Sequence, residues 1–211
     1  GNTVATGTTY TYSATQTDTF YVEAFAGTEY HIGPPSAGFG NQQSTVSNDY
    51  GLAFDVIRPV TIDIVHIYPN QTGTVTINLR QTAGGPVLAT YTQAVTAFTG
   101  KTPIPVGFSV PVGSGYRIEI ASGGPSLQQN TSGAIYPYTV ANGPLSITGY
   151  YNPNFNSAGI YLWMYDWIVS EGCRSTRIPA IGVVNPFPAI PTISQNFNIL
   201  TSSAPSGNQW L

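Results

Sequence analysis

Nine acidic side chains, six basic ones, two histidines and one cysteine are the charged, imidazole and thiol groups that 211 residues offer for acid–base, nucleophilic or metal chemistry. None falls into a local signature that such chemistry uses: there is no G-x-S-x-G, no H-E-x-x-H and no Cys/His pair in a recognisable frame. His31 and His66 stand alone and are read as structural. Glycoside hydrolysis needs two carboxylates at a set separation, and no pair here is singled out. The chain is therefore not expected to be an enzyme. Asp166 is the most conspicuous carboxylate because its neighbours are apolar, and a carboxylate in such surroundings needs a partner. Arg117 or Arg58 would provide a salt bridge. A Ca²⁺ ion held by Asp166, Asp49, Asp55 and backbone carbonyls is the other reading, although no D-x-D-x-D-G loop accompanies it. No cofactor beyond that ion is expected. Cys173 cannot close a disulfide within these residues. It reads as a small buried thiol, as half of a disulfide to a residue outside them, or as a reactive thiol beside Arg174 and Arg177, the last without any His or Asn constellation to support it.

Aromatic rings offer a different chemistry, stacking on sugar rings. GIYLWMYDWIVS, residues 159–170, holds two of the three tryptophans. At a period of two, Tyr161, Trp163, Tyr165, Trp167 and Val169 fall on one face, and Ile160, Leu162, Met164, Asp166 and Ile168 on the other. Such a strand is either covered on both sides or offers its aromatic face to a ligand, with Tyr150, Tyr151, Tyr136 and Tyr138 close enough in sequence to join Trp163 and Trp167. The competing reading is that these rings fill the space between two sheets.

The elements that position these residues read as strands throughout. Thr9–Ser13, Thr17–Ala26, Glu29–Ile32, Tyr50–Ile57, Val60–Tyr68, Gly73–Gln81, Val87–Val95, Thr102–Val110, Tyr116–Ala121, Ser126–Asn130, Ala134–Thr139 and Leu145–Tyr150 precede the aromatic stretch, separated by Gly, Pro and Asn turns. In Gly73–Gln81, Val75, Ile77 and Leu79 face in. The inward phase slips between Ile64 and Val65, which predicts a bulge. Pro103 and Pro105 predict an edge strand. Tyr116, Ile118 and Ile120 face in, Arg117 and Glu119 out. No window keeps a helical stripe, so the expectation is all-β: an antiparallel sandwich, jelly-roll-like. Ile178–Val184 gives one more strand; Asn185–Pro188 and Pro191 mark a stiff linker, and Thr192–Ile199 and Gln209–Leu211 open a further domain.

Only 7% of residues are charged, against about 25% in an average soluble domain. A net charge of −3 gives no field for a polyanion, so nucleic acid is not an expected partner. No apolar run reaches the roughly 20 residues that span a bilayer, so no membrane insertion is expected. With no signal peptide before Gly1, the chain reads as soluble and either mature or an excerpt.

TTYTYSATQTDTFYVEA, taken with GCRSTRIPAIGVV, resembles the C-terminal half of Ig-like repeats in multi-modular secreted and surface proteins of Bacteroidota. There a strand ending in T-x-Y-V-E-A turns directly into G-C-x-S-x-R-x-P and the final strand. Thr19–Ala24 and Gly172–Pro179 match the two halves, and about 145 residues separate them. The resemblance implies residues 1–26 and 172–184 as one Ig-like half, with 27–171 as a second sandwich inserted into its terminal hairpin, 185–191 as linker and 192–211 as the start of another Ig-like domain. GLAFDVIRPVTIDIVHIYP, GTVTINL, VPVGSGYRIEI and YPY in the insert resemble a β-sandwich module of the same proteins, which implies no activity. In that family the Cys before the last strand pairs with one in an early strand, so the resemblance implies a partner for Cys173 outside these residues. It further implies a secreted or cell-surface location and a structural or adhesive role, with neighbouring Ig-like repeats or identical subunits as partners, in a filament for example. The alternative expectation is a carbohydrate-binding module for polysaccharide, calcium-stabilised, built on Trp163, Trp167, Tyr161, Tyr165, Tyr150 and Tyr151.

Overall fold

The structure, a computed structural model, describes residues 9–13, 15–152, 159–184 and 190–207. Most of the expected loop before Gly159, the linker prolines at 186 and 188, and the Gln209–Leu211 segment with Trp210 lie outside the described residues. Sixteen strands, all antiparallel, and no helix occur among the described residues. The chain divides into two compact units, Ala24–Ser175 and Thr3–Glu23 with Thr176–Leu211.

The 24–175 unit is a β-sandwich. One sheet runs in the order β12 (Leu145–Tyr151), β4 (Tyr50–Val56), β10 (Gly113–Ile120), β6 (Gly73–Arg80), β7 (Val87–Val95). The other runs β2 (Phe25–Ile32), β13 (Tyr165–Arg174), β5 (Val60–Ile67), β8 (Thr102–Ile104), with β9 (Phe108–Val110) also on β5. A ribbon of β3 (Gln42–Thr45) and β11 (Leu127–Asn130) completes the unit. Between the sheets lie Ile32, Leu52, Phe54, Ile62, Ile67, Ile77, Leu79 and Ile104, all fully buried. Each such side chain contributes about 1.5–3 kcal/mol relative to exposure.

The clean alternation of β6 buries Val75, Ile77 and Leu79 as its sequence requires. Along β5 the buried positions are Val60, Ile62, Val65 and Ile67, and β13 pairs Ile168 with Ile64 but Val169 with Ile62. One residue of β5 is thus looped out where the phase slips. The proline-bearing segment lies at the sheet edge, with Pro103 inside β8 and the split from β9 beginning at Pro105, which cannot donate to a ladder.

Four local expectations need correction. Thr9–Ser13 and Ala134–Thr139 form no strand; Tyr138 makes only an isolated bridge to Ile147, next to the cis Tyr136–Pro137 bond. The aromatic stretch is not one strand either: β13 begins at Tyr165, and positive φ at Trp163 (48°) and Asp166 (40°) breaks the alternation. Glu119 does face outward on β10, yet it is only 2% exposed because Arg80 lies over it, Nε to Oε2 2.7 Å. Finally, β2 and β13 stay paired past residues 27 and 171, through Cys173↔Ala26 and Arg174↔Phe25. The seam between units therefore falls at Ala24 and Ser175, whose backbones are tied by Ser175 N–H to Ala24 O at 2.8 Å.

In the second unit β1 (Asp18–Val22) pairs with β14 (Ile178–Gly182), and β15 (Ile193–Asn196) with β16 (Ile199–Ser202). Tyr10, Tyr12 and Phe20 form a small ring cluster, with Phe20 edge-on to Tyr12 at 4.8 Å.

Candidate functional site

The bulge between Tyr165 and Ile168 turns Asp166 out of the regular ladder on the sheet's outer side. Its carboxylate takes Nζ of Lys101 on Oδ2 at 2.5 Å and Nδ1 of His31 on Oδ1 at 2.7 Å. The backbone amide of Asp166 donates to Pro34 O at 2.9 Å. His66 reaches the backbone oxygen of Asp166 through Nδ1 at 2.9 Å. A carbonyl can only accept, so Nδ1 carries the proton and, in the neutral ring, Nε2 holds the lone pair. Burial lowers the His66 pKa, against the pull of the Asp166 carbonyl and carboxylate, and this favours the neutral ring. Burial pushes the Asp166 pKa up, but hydrogen bonds from Lys101 and His31 outweigh it and hold the carboxyl below its ordinary value. The side chain of Asp166 is 12% exposed, that of Lys101 36% and that of His31 58%.

This junction ties β2, β5, β13 and the segment before β8 together. Two histidines and a lysine thus converge on one aspartate, which makes the arrangement an electrostatic clamp. The expected partners of Asp166 are engaged elsewhere. Arg58 holds Glu171 through Nε and, at 2.8 Å, through NH2; Arg117 donates to Gly115 O and Tyr116 O and lies 5.5 Å over the Tyr151 ring. Nor are the three expected calcium ligands together. Asp49 accepts from Ser122 N–H at 3.1 Å, Asp55 from Gly115 N–H at 2.7 Å, and each is engaged separately from Asp166. No group of three metal-binding side chains is found among the described residues.

The aromatic residues are brought together, but inward. Tyr161, Trp163, Tyr165 and Trp167 are at most 1% exposed, so no ring face is available for stacking on a sugar and the platform reading is corrected to core packing. Trp167 meets Phe54 of the opposite sheet edge-on at 5.4 Å, and its Nε1 donates to Met164 O at 2.9 Å. Tyr161 lies 5.2 Å from Tyr165, 6.0 Å from Tyr136 and 5.4 Å from Tyr138. The Tyr165 hydroxyl donates to Asn130 Oδ1 at 2.6 Å, and Asn130, itself fully buried, donates to Ala37 O and Phe39 O. Burial raises the hydroxyl pKa of Tyr136, Tyr161 and Tyr165, which keeps all three protonated. Gly33, at φ +94°, passes so close that a Cβ there would sit 2.7 Å from the Tyr161 hydroxyl. Tyr150 and Tyr151 are adjacent in β12 and so face opposite sides of the sheet; Tyr150 packs on the core and Tyr151 carries Arg117.

Cys173 is exposed, not buried, and stands opposite Ala26 in the β2–β13 ladder. Lys101 was not foreseen at all, and His31 and His66, read as structural residues, were not foreseen as partners of Asp166. The only signal for them was the demand that Asp166 have a partner. Comparison with protein-family models, with curated proteins and with solved structures found no match to this chain.

Proposed function

We propose that the protein is a non-catalytic structural module of a larger β-rich assembly, secreted or on a cell surface, whose second unit is completed by strands from neighbouring repeats or identical subunits. One observation carries this reading. Among the described residues the β1–β14 ribbon has only two strands and is apolar on both faces: Tyr21 and Ile181 are 65% and 64% exposed on one face, Val22 and Ile178 62% and 66% on the other. The β15–β16 ribbon likewise exposes Ile193, Phe197, Ile199 and Leu200. A two-stranded ribbon is marginal in water, and bare apolar faces of this kind are covered in stable assemblies. Strand addition covers such faces and pairs free edges at once. The polysaccharide alternative is not carried forward, because Tyr161, Trp163, Tyr165 and Trp167 are core, Tyr150 packs on it and the Tyr151 ring lies beneath Arg117.

Light scattering on a concentration series, combined with hydrogen exchange, tests the proposal. Assembly should slow exchange of β1 and β14 amides, and the Val22→Thr/Ile178→Thr variant, which keeps strand propensity, should weaken it. A particle that stays monomeric at high concentration, with ribbon amides exchanging at one rate throughout, would count against the reading.

A further inference from the structure

A sheet edge presents a row of unpaired backbone donors and acceptors, and folded proteins blunt such edges. Three of the four edges in the 24–175 sandwich are blunted. β12 is covered where Tyr138 and Ile147 exchange both backbone hydrogen bonds, at 2.9 and 3.0 Å. The β8–β9 edge consists of two three-residue strands separated by Pro105, Val106 and Gly107. β2 carries Glu29 and His31 in its second half. β7 has none of these devices. Its nine residues, VLATYTQAV, include no charge, no proline and no glycine, and among the described residues β6 is its one strand neighbour. A register shift against Leu79 and Arg80 confines the irregularity to Val87 and Leu88, leaving Ala89–Val95 in unbroken pairing.

We infer that β7 is an interface for a second copy of this chain, joined by two-fold antiparallel pairing of Ala89–Val95 with its counterpart. The partner is a copy because the strand is self-complementary about Thr92. Residues opposite each other in an antiparallel pair point to the same side. With Thr92 facing Thr92 of the copy, Thr90 lies opposite Ala94 on the outer face. On the inner face Tyr91 lies opposite Gln93, and Ala89 opposite Val95. No like charges meet. Thr90, Thr92 and Ala94 are exposed, while Ala89, Tyr91 and Gln93 are half-covered at the margin of the sheet and would be covered further by the copy. The joined sheet would have ten strands, and a two-fold seam closes on itself instead of propagating. The seam is about 24 Å long, at the small end of specific interfaces, so the dimer is expected to half-dissociate at roughly 10–100 μM.

This surface lies wholly within the 24–175 unit, so the inference stands or falls independently of the ribbon completion proposed above. Sedimentation velocity of the full chain across that concentration range tests it with two variants differing in the sign of one residue. Thr90→Lys/Ala94→Lys places lysines opposite each other twice across the seam and should weaken the dimer at least tenfold. Thr90→Glu/Ala94→Lys places Glu opposite Lys twice and should hold it at or above wild-type strength. Both variants change only exposed positions and should melt alike. In wild-type protein, alternate β7 amides should exchange more slowly at high concentration. A wild type that is monomeric throughout, variants that associate like the wild type, or equal loss in both variants would overturn the inference.

Discussion

Replacing Asp166 with Asn removes the charge of the clamp while keeping its size and its tolerance of positive φ. Lys101 and His31 both donate to the carboxylate, at 2.5 and 2.7 Å. The amide substituted there can accept from one of them and turns its own donors toward the other. Hydrogen bonds to charged groups are worth about 1.5–3 kcal/mol net. Here both donors are substantially exposed, 36% and 58%, which brings each bond toward the roughly 1 kcal/mol of a solvated ion pair. The expected loss is about 1.5–2 kcal/mol. For a unit of this size, a melting temperature falls roughly 2–4 °C per kcal/mol, so calorimetry at pH 7 should show a drop of about 3–8 °C. The pH dependence gives a second reading. The carboxyl is held below its ordinary value in the folded protein, so its contribution is complete above the unfolded carboxylate range, near pH 3.9, and is lost as pH falls through the folded value. The gap between wild type and Asp166→Asn should therefore close in acid. His66, lowered by burial, makes both proteins less stable as pH falls below about 6.5, and largely cancels in the difference. Equal melting temperatures at pH 7, or a gap that widens in acid, would refute the clamp.

Trp167→Ala should cost about 3–5 kcal/mol by opening a cavity against Phe54, measured by urea denaturation; a loss below 1 kcal/mol would mean that the indole is not core. Glu119→Ala strands the Arg80 guanidinium and should cost about 2–4 kcal/mol, whereas Glu119→Met/Arg80→Met should lie within about 1 kcal/mol of wild type; the same denaturation curves decide, and a double variant no better than the single one would contradict it. Gly27→Ala would place a Cβ 2.2 Å from Glu171 O, a backbone atom that cannot swing aside, so its melting temperature should drop well below wild type. Cys173 should react with a thiol reagent in native protein at nearly the rate seen in urea; protection by folding would contradict its exposure.

How far the sequence could be read depended on the range of the interactions. Gly73–Gln81 announced its buried face because alternation is a property of neighbours. The slip at Ile64 and the prolines at 103 and 105 announced a bulge and an edge for the same reason. Asp166 announced only that it needed a partner. That its partners are His31 and Lys101 follows from β2–β13 register and from the segment entering β8, matches spanning 135 and 65 residues, which no local pattern encodes. The aromatic stretch misled because the count by two assumes extended backbone, and Trp163 and Asp166 leave it. Glu119 read as solvent-facing since its parity is outward; an arginine 39 residues away in sequence covers it.

The irregularities are unequally shared between the two sheets, and this bears on assembly. In the β2–β13–β5–β8 sheet the bulge that turns out Asp166 lies opposite Val65, the extra residue of β5 follows beyond the Ile168–Ile64 pair, and Gly107 N–H reaches Asp63 O at 3.2 Å where β8 and β9 part. Each bulge raises local twist, and the gap between β8 and β9 interrupts the row of backbone groups at that edge. An edge so broken is a poor template for another strand. The opposite sheet carries its bulges on β10 and β12, both against β4, and at the start of β7, leaving the last seven residues of β7 regular. Polar clamp and pairing edge thus make opposite demands on a strand, the first for bulges and the second for their absence, and the chain meets them on different sheets. Moving the defect should move the property: an inserted residue between Thr90 and Tyr91 would bulge β7 and should abolish dimerisation in sedimentation while leaving the acid profile set by Asp166 unchanged.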